Sequence, residues 1–388
     1  MAQRSYFDWN ATAPMRPQAM AAFQEAWAVD GNPSSVHSEG RAARKLIETA
    51  REEVAALVGA QPGNVFFTSG GTEANMLALT PAIDAGDEKR PRDRLLMSAI
   101  EHASVRTGGR FAPAATEDIA VTAAGQVDLE GLENAVRKAA RPLVSIMLAN
   151  NETGVVQPIA EAAAIIHASR GLLLVDAVQG AGRIACDVRA LGADILTLSA
   201  HKIGGPKGVG ALVRNREDLH FPDPLIRGGG QERGVRAGTE NVAAIGAFGA
   251  AAAAARSQLA AEAAHMRTLR DALEAGLKAI APETVIFGHT GVDRLPNTTL
   301  FALQGMKAET AVIAFDLEGI AVSSGAACSS GKVQPSHVLA AMGVPPSLGQ
   351  GAVRASLGWA TAEVDVERFL GAWRKLSGAL SKGRSIAA

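Results

Sequence analysis

Ser199-Ala-His-Lys-Ile-Gly-Gly-Pro-Lys-Gly-Val-Gly210 sets one lysine, Lys202, between the end of an apolar run and a loop rich in glycine. The run before it, Ile195-Leu-Thr-Leu-Ser199, is short, apolar and partly β-branched, the pattern of a buried parallel strand, and Val209-Gly-Ala-Leu-Val213 resumes that pattern. Lys202 is therefore expected at a strand exit, where open α/β sheets hold their ligands. An amine beside hydroxyl and imidazole donors, with glycines that let backbone come close, suits a Schiff base with an aldehyde cofactor. A loop lysine taken alone is a solvated residue with no such duty. The loop lacks Gly-Lys-Ser/Thr and is no nucleotide P-loop, and its glycines do not open a G-x-G-x-x-G turn into a helix.

Upstream, Gly171-Leu-Leu-Leu-Val-Asp-Ala-Val-Gln-Gly180 reads as a buried strand ending in Asp176, with Gln179 one turn on. A carboxylate in that place needs a cationic partner. The ring nitrogen of pyridoxal phosphate is one, because an aspartate beside it keeps it protonated and able to accept electrons from a carbanion. Strand-Asp-x-x-Gln followed by strand-Ser-x-His-Lys is far more specific than either half.

Other segments add candidates. Val65-Phe-Phe-Thr68 is a strand leading through Ser69-Gly-Gly-Thr-Glu-Ala-Asn75 into a helix, whose first N–H groups and Thr72 hydroxyl make either an anion site or an ordinary helix cap. Leu95-Leu-Met97 is a strand with His102 on the loop after it, and Leu143-Val-Ser-Ile-Met-Leu148 ends in Asn150-Asn151-Glu152. Arg227-Gly-Gly-Gly-Gln-Glu-Arg-Gly-Val-Arg-Ala-Gly-Thr-Glu-Asn241 is too rich in glycine and arginine for a core and reads as a solvated loop. Ser323-Ser-Gly-Ala-Ala-Cys-Ser-Ser-Gly-Lys332 is a run of small residues in which the Cys328 thiol can reach a substrate. Cys186, in Arg183-Ile-Ala-Cys-Asp187, reads as a buried small hydrophobe.

With 388 residues, 47% hydrophobic and 20% charged, the chain can bury a large core in two domains. A net charge of −1 gives no electrostatic reason to expect nucleic acid or an anionic membrane. Two cysteines make no disulfide framework and the N-terminus has no signal-peptide pattern, so the cytoplasm is the expected location. No membrane span is expected, since the alanine-rich stretch near residue 250 stops at Arg256. The expected architecture is α/β. An arm over 1–15 packs on the small domain, a large domain over 16–258 has a mostly parallel central sheet flanked by helices, and a smaller α+β domain covers 259–388. Helical spacing runs over 19–28, 38–57 and 242–280, with later strands at Val285-Ile-Phe287, Thr298 to Ala302 and Ile320-Ala-Val322.

Tyr6-Phe-Asp-Trp-Asn-Ala-Thr-Ala-Pro14, Gly31-Asn-Pro-Ser-Ser-Val-His37, Glu101-His-Ala-Ser104 and Asn150-Asn-Glu-Thr-Gly154 complete a series that includes the motifs around Thr72, Lys202 and Cys328. In order and nearly end to end, the series resembles the class V branch of the fold-type I pyridoxal-phosphate transferases, and within it the cysteine desulfurases of the NifS and IscS types. The resemblance implies pyridoxal 5′-phosphate as cofactor, held by Gly71, Thr72, His102, Asn151, Asp176, Gln179, Ser199, His201 and Lys202. Thr239 would reach the phosphate of a second subunit, which implies a homodimer. Asn151 and Arg354 would bind L-cysteine, with Arg354 forked on its α-carboxylate. Lys202, His102 and Cys328 would be catalytic, yielding L-alanine and a persulfide on Cys328 that passes to an iron–sulfur scaffold protein like NifU or IscU. Through that persulfide Cys328 would also be a transient iron–sulfur ligand. The loops around Gly228 and Arg236 resemble the NifS type more than the IscS type, which implies supply of nitrogenase clusters. Ala326 stands where the family commonly has serine. A housekeeping IscS-type donor, a selenocysteine lyase, an aminotransferase or a non-catalytic sulfur carrier would share much of the series.

Overall fold

The run Ile195–Ser199 is a strand buried along its length, and helices cover both faces of the sheet it belongs to. The computed structural model of the chain describes residues 4–86, 89–289, 291–325 and 335–387. The first part of the chain forms β1 (Ser5–Tyr6), α1 (Pro17–Trp27), α2 (Ser38–Leu57), β2 (Val65–Thr68), α3 (Gly71–Ala78), β3 (Asp84–Ala85), β4 (Arg94–Ser98), α4 (Ala103–Arg106) and β5 (Thr116–Ile119). The middle adds α5 (Leu129–Val136), β6 (Pro142–Met147), α6 (Ile159–Ala168), β7 (Leu172–Asp176), β8 (Ile195–Ser199), β9 (Gly210–Arg214), β10 (Leu219–His220) and α7 (Val242–Ile280). The last part adds β11 (Val285–Ile286), β12 (Thr298–Ala302), α8 (Ala308–Leu317), β13 (Ile320–Ala321), β14 (Ser323–Ser324), α9 (His337–Ala341), α10 (Pro346–Gly349), β15 (Val353–Ser356) and α11 (Glu363–Ala387).

Among the described residues the larger sheet has seven strands in the order β2-β9-β8-β7-β6-β4-β5. Strands β5, β4, β6, β7 and β8 run parallel, whereas β9 is antiparallel to both β8 and β2. The sequence pattern alone makes β9 a further strand of the parallel kind. Its connection, Ala200 to Val209, is shorter than the dozen or more residues a parallel crossover needs, so the chain turns straight back. Alternate residues feed opposite faces: Leu196 and Leu198 join Ile47, Val54 and Phe248 under α2 and α7, while Ile195 and Leu212 join Leu77 of α3.

A second, antiparallel sheet, β11-β12-β15-β14, sets the Phe301 ring against Phe369 and Trp373 of α11, and Phe315 of α8 meets the same Phe369. Strand β13 does not join it. It pairs in parallel with β1 of the N-terminal arm, Ser5 opposite Ile320. Helix α7 serves both cores, with Ala244 to Ala255 in the first and Leu269, Leu273 and Leu277 in the second. Between them Glu262 receives two hydrogen bonds of 2.7 Å from buried Arg16, whose guanidinium lies over the Trp359 ring at 3.8 Å. Helix α7 runs on past Arg256 over the whole span its spacing predicts, and by length and composition it could cross a membrane; 56% of its apolar window is buried inside the protein.

Candidate functional site

The carboxyl ends of β2, β4, β6, β7 and β8 open on one cavity of about 540 Å³, the place where open α/β sheets carry ligands. Gly71, Thr72, His102, Asn151, Asp176, Gln179, Ser199, His201, Lys202 and Arg354 all line it. Thr239 is exposed and does not. Cys328 lies outside the described residues, as does the substitution at Ala326.

Asp176 is buried at the end of β7. Its Oδ2 accepts a hydrogen bond from Asn75 Nδ2 at 2.9 Å and its Oδ1 one from the Val178 amide at 3.0 Å. Asn75 Nδ2 also donates to Ser104 Oγ at 2.9 Å, and Asn75 Oδ1 accepts from Thr197 Oγ1 at 2.6 Å. Ser104 Oγ lies 2.8 Å from His102 Nδ1, which accepts from the Ser104 amide at 3.2 Å as the cap of α4. An Nδ1 that accepts leaves Nε2 to carry the proton of the neutral ring. One buried asparagine thus joins the carboxylate to the histidine. Nothing in the sequence sets Asn75 apart from its helix neighbours, because its partners come from β7, β8 and α4.

Lys202 Nζ donates to the carbonyls of Asn10 at 2.5 Å and Ala11 at 2.8 Å, on the N-terminal arm. The Asn10 carbonyl also accepts from Gln179 Nε2 at 3.0 Å. The Asn10 side chain reaches the Asn151 carbonyl at 3.2 Å, Thr298 Oγ1 at 2.9 Å and Asn297 at 3.1 Å. Gln179 Oε1 accepts from Arg183 at 2.6 Å, and Arg183 donates further to the carbonyls of Gln179 and Lys202. Burial, then repulsion from Arg354, pushes the Arg183 guanidinium down to about 10. Burial, followed by the positive Lys202, Lys207 and Arg183, pushes His201 down to about 4, so its imidazole is neutral at neutral pH.

Arg354 donates to Asp8 Oδ1 at 2.8 Å and to the Asn151 carbonyl at 3.0 Å, while its buried Nε has no partner. Two buried acids stand nearby. Glu101 is fully enclosed and is pushed well above the usual carboxyl range by burial and then by Asp176; its Oε1 accepts from the Met147 amide at 2.6 Å. Burial raises Glu152 to about 7 against the pull of Ser336 and Arg354, and Ser336 Oγ donates to its Oε2 at 2.6 Å. Sequence alone gives Glu152 no role, since nothing local marks the meeting with Ser336. Cys186 is buried, with its thiol pushed up to about 12 by burial and then by Asp187.

These donors fit pyridoxal phosphate. A Cβ on Gly71 would stand 3.1 Å from Val178 Cγ2 and 3.3 Å from Ser199 Cβ, so glycine lets the first turn of α3 settle against the strand ends. A Cβ on Gly210 would stand 2.5 Å from the backbone of Gly70, which holds the same loop close to β9. The α3 N-terminus, Lys202, Lys207 and Arg354 offer positive charge for a phosphate and a carboxylate in the same cavity as the Asp176 carboxylate, which suits a protonated ring nitrogen. Among the described residues no group of three His, Cys, Asp or Glu side chains could hold a metal ion.

The loop 227–241 is mostly exposed, as its composition predicts, but Glu232, Ala237 and Glu240 are buried. The Glu232 side chain is bound by Arg51 rather than by solvent.

The family description Aminotransferase class-V matches residues 5–369. A cysteine desulfurase of Cereibacter sphaeroides is 42% identical over 95% of this chain and 94% of its own. Cysteine desulfurase IscS 1 of Archaeoglobus fulgidus is 40% identical over 98% of both. The structure of a NifS-like protein from Rickettsia africae superposes with a TM-score of 0.86, at 36% identity, covering 97% of this chain and 100% of that one.

Proposed function

The chain belongs to the class-V aminotransferase family, in its cysteine desulfurase branch, and on that premise we propose that it converts L-cysteine and the Cys328 thiol into L-alanine and a Cys328 persulfide, with pyridoxal phosphate as cofactor. The observation that carries this reading is the single cavity in which Lys202, Asp176, His102 and Arg354 meet the N-terminus of α3.

Bound there, pyridoxal phosphate supplies an aldehyde that condenses with amines and a ring that draws electrons from the substrate carbon. The amides of Gly71 and Thr72 hold the phosphate, and Asp176, held in place by Asn75, keeps a proton on the ring nitrogen. Gln179 and Asn151 orient the cofactor, with Ser199 and His201 beside them on the strand exit. Arg354, which lines the cavity, grips the substrate carboxylate. The Lys202 amine takes the proton from the substrate Cα and returns it further along the molecule. His102 moves the thiol proton. The Cys328 thiolate attacks the substrate sulfur, a sulfur–sulfur bond forms as the carbon–sulfur bond breaks, and the carbon left behind takes up a proton to become alanine.

Thr239 is exposed on its own chain, which supports a homodimer in which it reaches the partner's phosphate. Trp27 and Val36, 75% and 87% exposed, are apolar surface that such a partner would cover. The small domain, 259–388, carries the Cys328 segment, and the arm over 1–15 ties it to the large domain. The persulfide goes to an iron–sulfur scaffold protein in the cytoplasm, with Cys328 a transient cluster ligand. Supply of nitrogenase is the reading favoured by the loops at Gly228 and Arg236.

Incubation with L-cysteine, followed by mass analysis, tests the reaction: one added sulfur on the Cys328 peptide and equimolar alanine are expected. Alanine without added sulfur would point to a different acceptor, and selenocysteine as the much better substrate would point to a lyase.

A further inference from the structure

The loop 231–236 contains two of the three non-glycine residues with positive φ among those described, Glu232 at 45° and Arg233 at 58°, followed by Gly234 at 81°. Successive left-handed residues are unfavourable for side chains with a Cβ and persist only where the surroundings hold them. Here the turn drives the Glu232 carboxylate inward to Arg51 of α2. Arg51 donates to its two oxygens at 2.7 and 2.9 Å, and the Phe67 amide donates to it at 2.8 Å. Arg51 donates as well to the Val65 carbonyl at 2.8 Å.

Strand β2 is the edge of the larger sheet, so its outward backbone groups have no neighbouring strand. The ion pair supplies what that strand would have supplied, an acceptor for the Phe67 amide and a donor for the Val65 carbonyl. Two residues later the chain enters the Ser69–Thr72 turn. The same loop grips that turn a second time: Arg236 Nε donates at 3.1 Å to Glu73 Oε1, while Glu73 Oε2 accepts from the Ser69 amide at 2.7 Å. Thr239 follows on the same segment.

We propose that Glu232 and Arg51 are positioning residues for the phosphate of the cofactor, holding the Ser69–Thr72 turn and the Thr239 segment in one fixed relation. The inference rests on the functional reading above. Neither residue lines the cavity, so each acts through the backbone it holds.

The test compares apoprotein binding of pyridoxal 5′-phosphate with that of unphosphorylated pyridoxal, by titration of the visible absorbance of the bound ligand. Glu232→Gln keeps shape and removes charge; it is expected to weaken phosphate-ester binding about tenfold while pyridoxal binding moves less than about twofold, a difference typical of weakening the hydrogen bonds that support a binding group from behind. Inorganic phosphate should compete with the phosphate ester less well in the Glu232→Gln protein than in the parent. Equal losses for both ligands, or none in a variant with the parent's melting temperature, would overturn the proposal. If Glu232→Gln does not fold, Arg236→Gln replaces it, with the same phosphate-selective loss expected and the same outcomes overturning. A parent apoprotein that binds neither ligand would instead overturn the functional reading.

Discussion

The two sides of the cavity are built by opposite means. The floor is made of strand ends, where β7 delivers Asp176, β8 delivers Ser199 and Lys202, and the turn after β2 delivers Gly71 and Thr72, each residue carried to the cavity by the strand it ends or follows. The roof is made of backbone from far away: the Asn10 and Ala11 carbonyls meet Lys202 across 192 and 191 positions, and Asn10, Asn151, Arg354 and Asp8 are tied together by hydrogen bonds that cross from the arm to the second sheet. A floor of side chains can be specified residue by residue, whereas a roof of carbonyls depends on the arm being docked. Chemistry should therefore be lost by substitutions in the floor, and also at Asn151 and Arg354, and stability by substitutions elsewhere in the roof.

The contrast breaks outright if Lys202→Ala keeps its turnover. A fall of about a thousandfold or more is expected, from the loss of a proton-transfer group, together with loss of the borohydride-stable pyridoxyl label, read by peptide mass. Next in size is an effect beside the roof, at the residue after Asn151, that turnover does not report. Glu152 titrates near 7 when folded against 4.5 for an ordinary glutamate, so the folded protein holds a proton that the unfolded chain releases between these values. Stability should fall as pH rises through that window and level off above it, by at most about 3 kcal/mol. Melting curves of the parent and Glu152→Gln between those pH values should diverge accordingly, and a slope unchanged by the substitution would show that Glu152 is ionised throughout.

Asp176→Asn comes third, with turnover down roughly thirtyfold as a charged hydrogen bond of about 2 kcal/mol becomes a neutral one. The parent melting temperature should survive, which separates it from a roof substitution. Asn75→Ala should be smallest, about fivefold in turnover, or about 1 kcal/mol for one donor removed from the Asp176 carboxylate. Its second signature is a change in the His102 ring-proton resonances by NMR, because Asn75 also holds Ser104 against that ring. A full-activity Asn75→Ala protein with an unmoved His102 would show that the floor needs no shared hinge.

The same asymmetry decides what can be read from the chain. Ser38–Leu57 and Thr298–Ala302 are found at the boundaries their spacing predicts, because amphipathic periodicity and β-branching are local signals. The strand exits follow for the same reason, which is why ten of the predicted site residues share one cavity. The direction of β9 was hidden in a loop length rather than in the strand itself. The pairing of β1 with β13 involves two residues on each side, too few to carry a pattern. Glu232 looks like a solvated loop residue until the left-handed turn brings it to Arg51, and no periodicity marks a backbone that turns inward. Asn10 is the extreme case, since the atom that meets Lys202 is a carbonyl that any amino acid would bring.

Helix α7 is an axle set into both halves of the molecule, with the Arg16–Glu262 pair riveted near its midpoint. Heat cannot peel one lobe away while the other stays folded, because each would have to give up its grip on the same rod. Calorimetry should accordingly find one sharp transition rather than two, and a chain cut within that rod should leave neither piece able to stand.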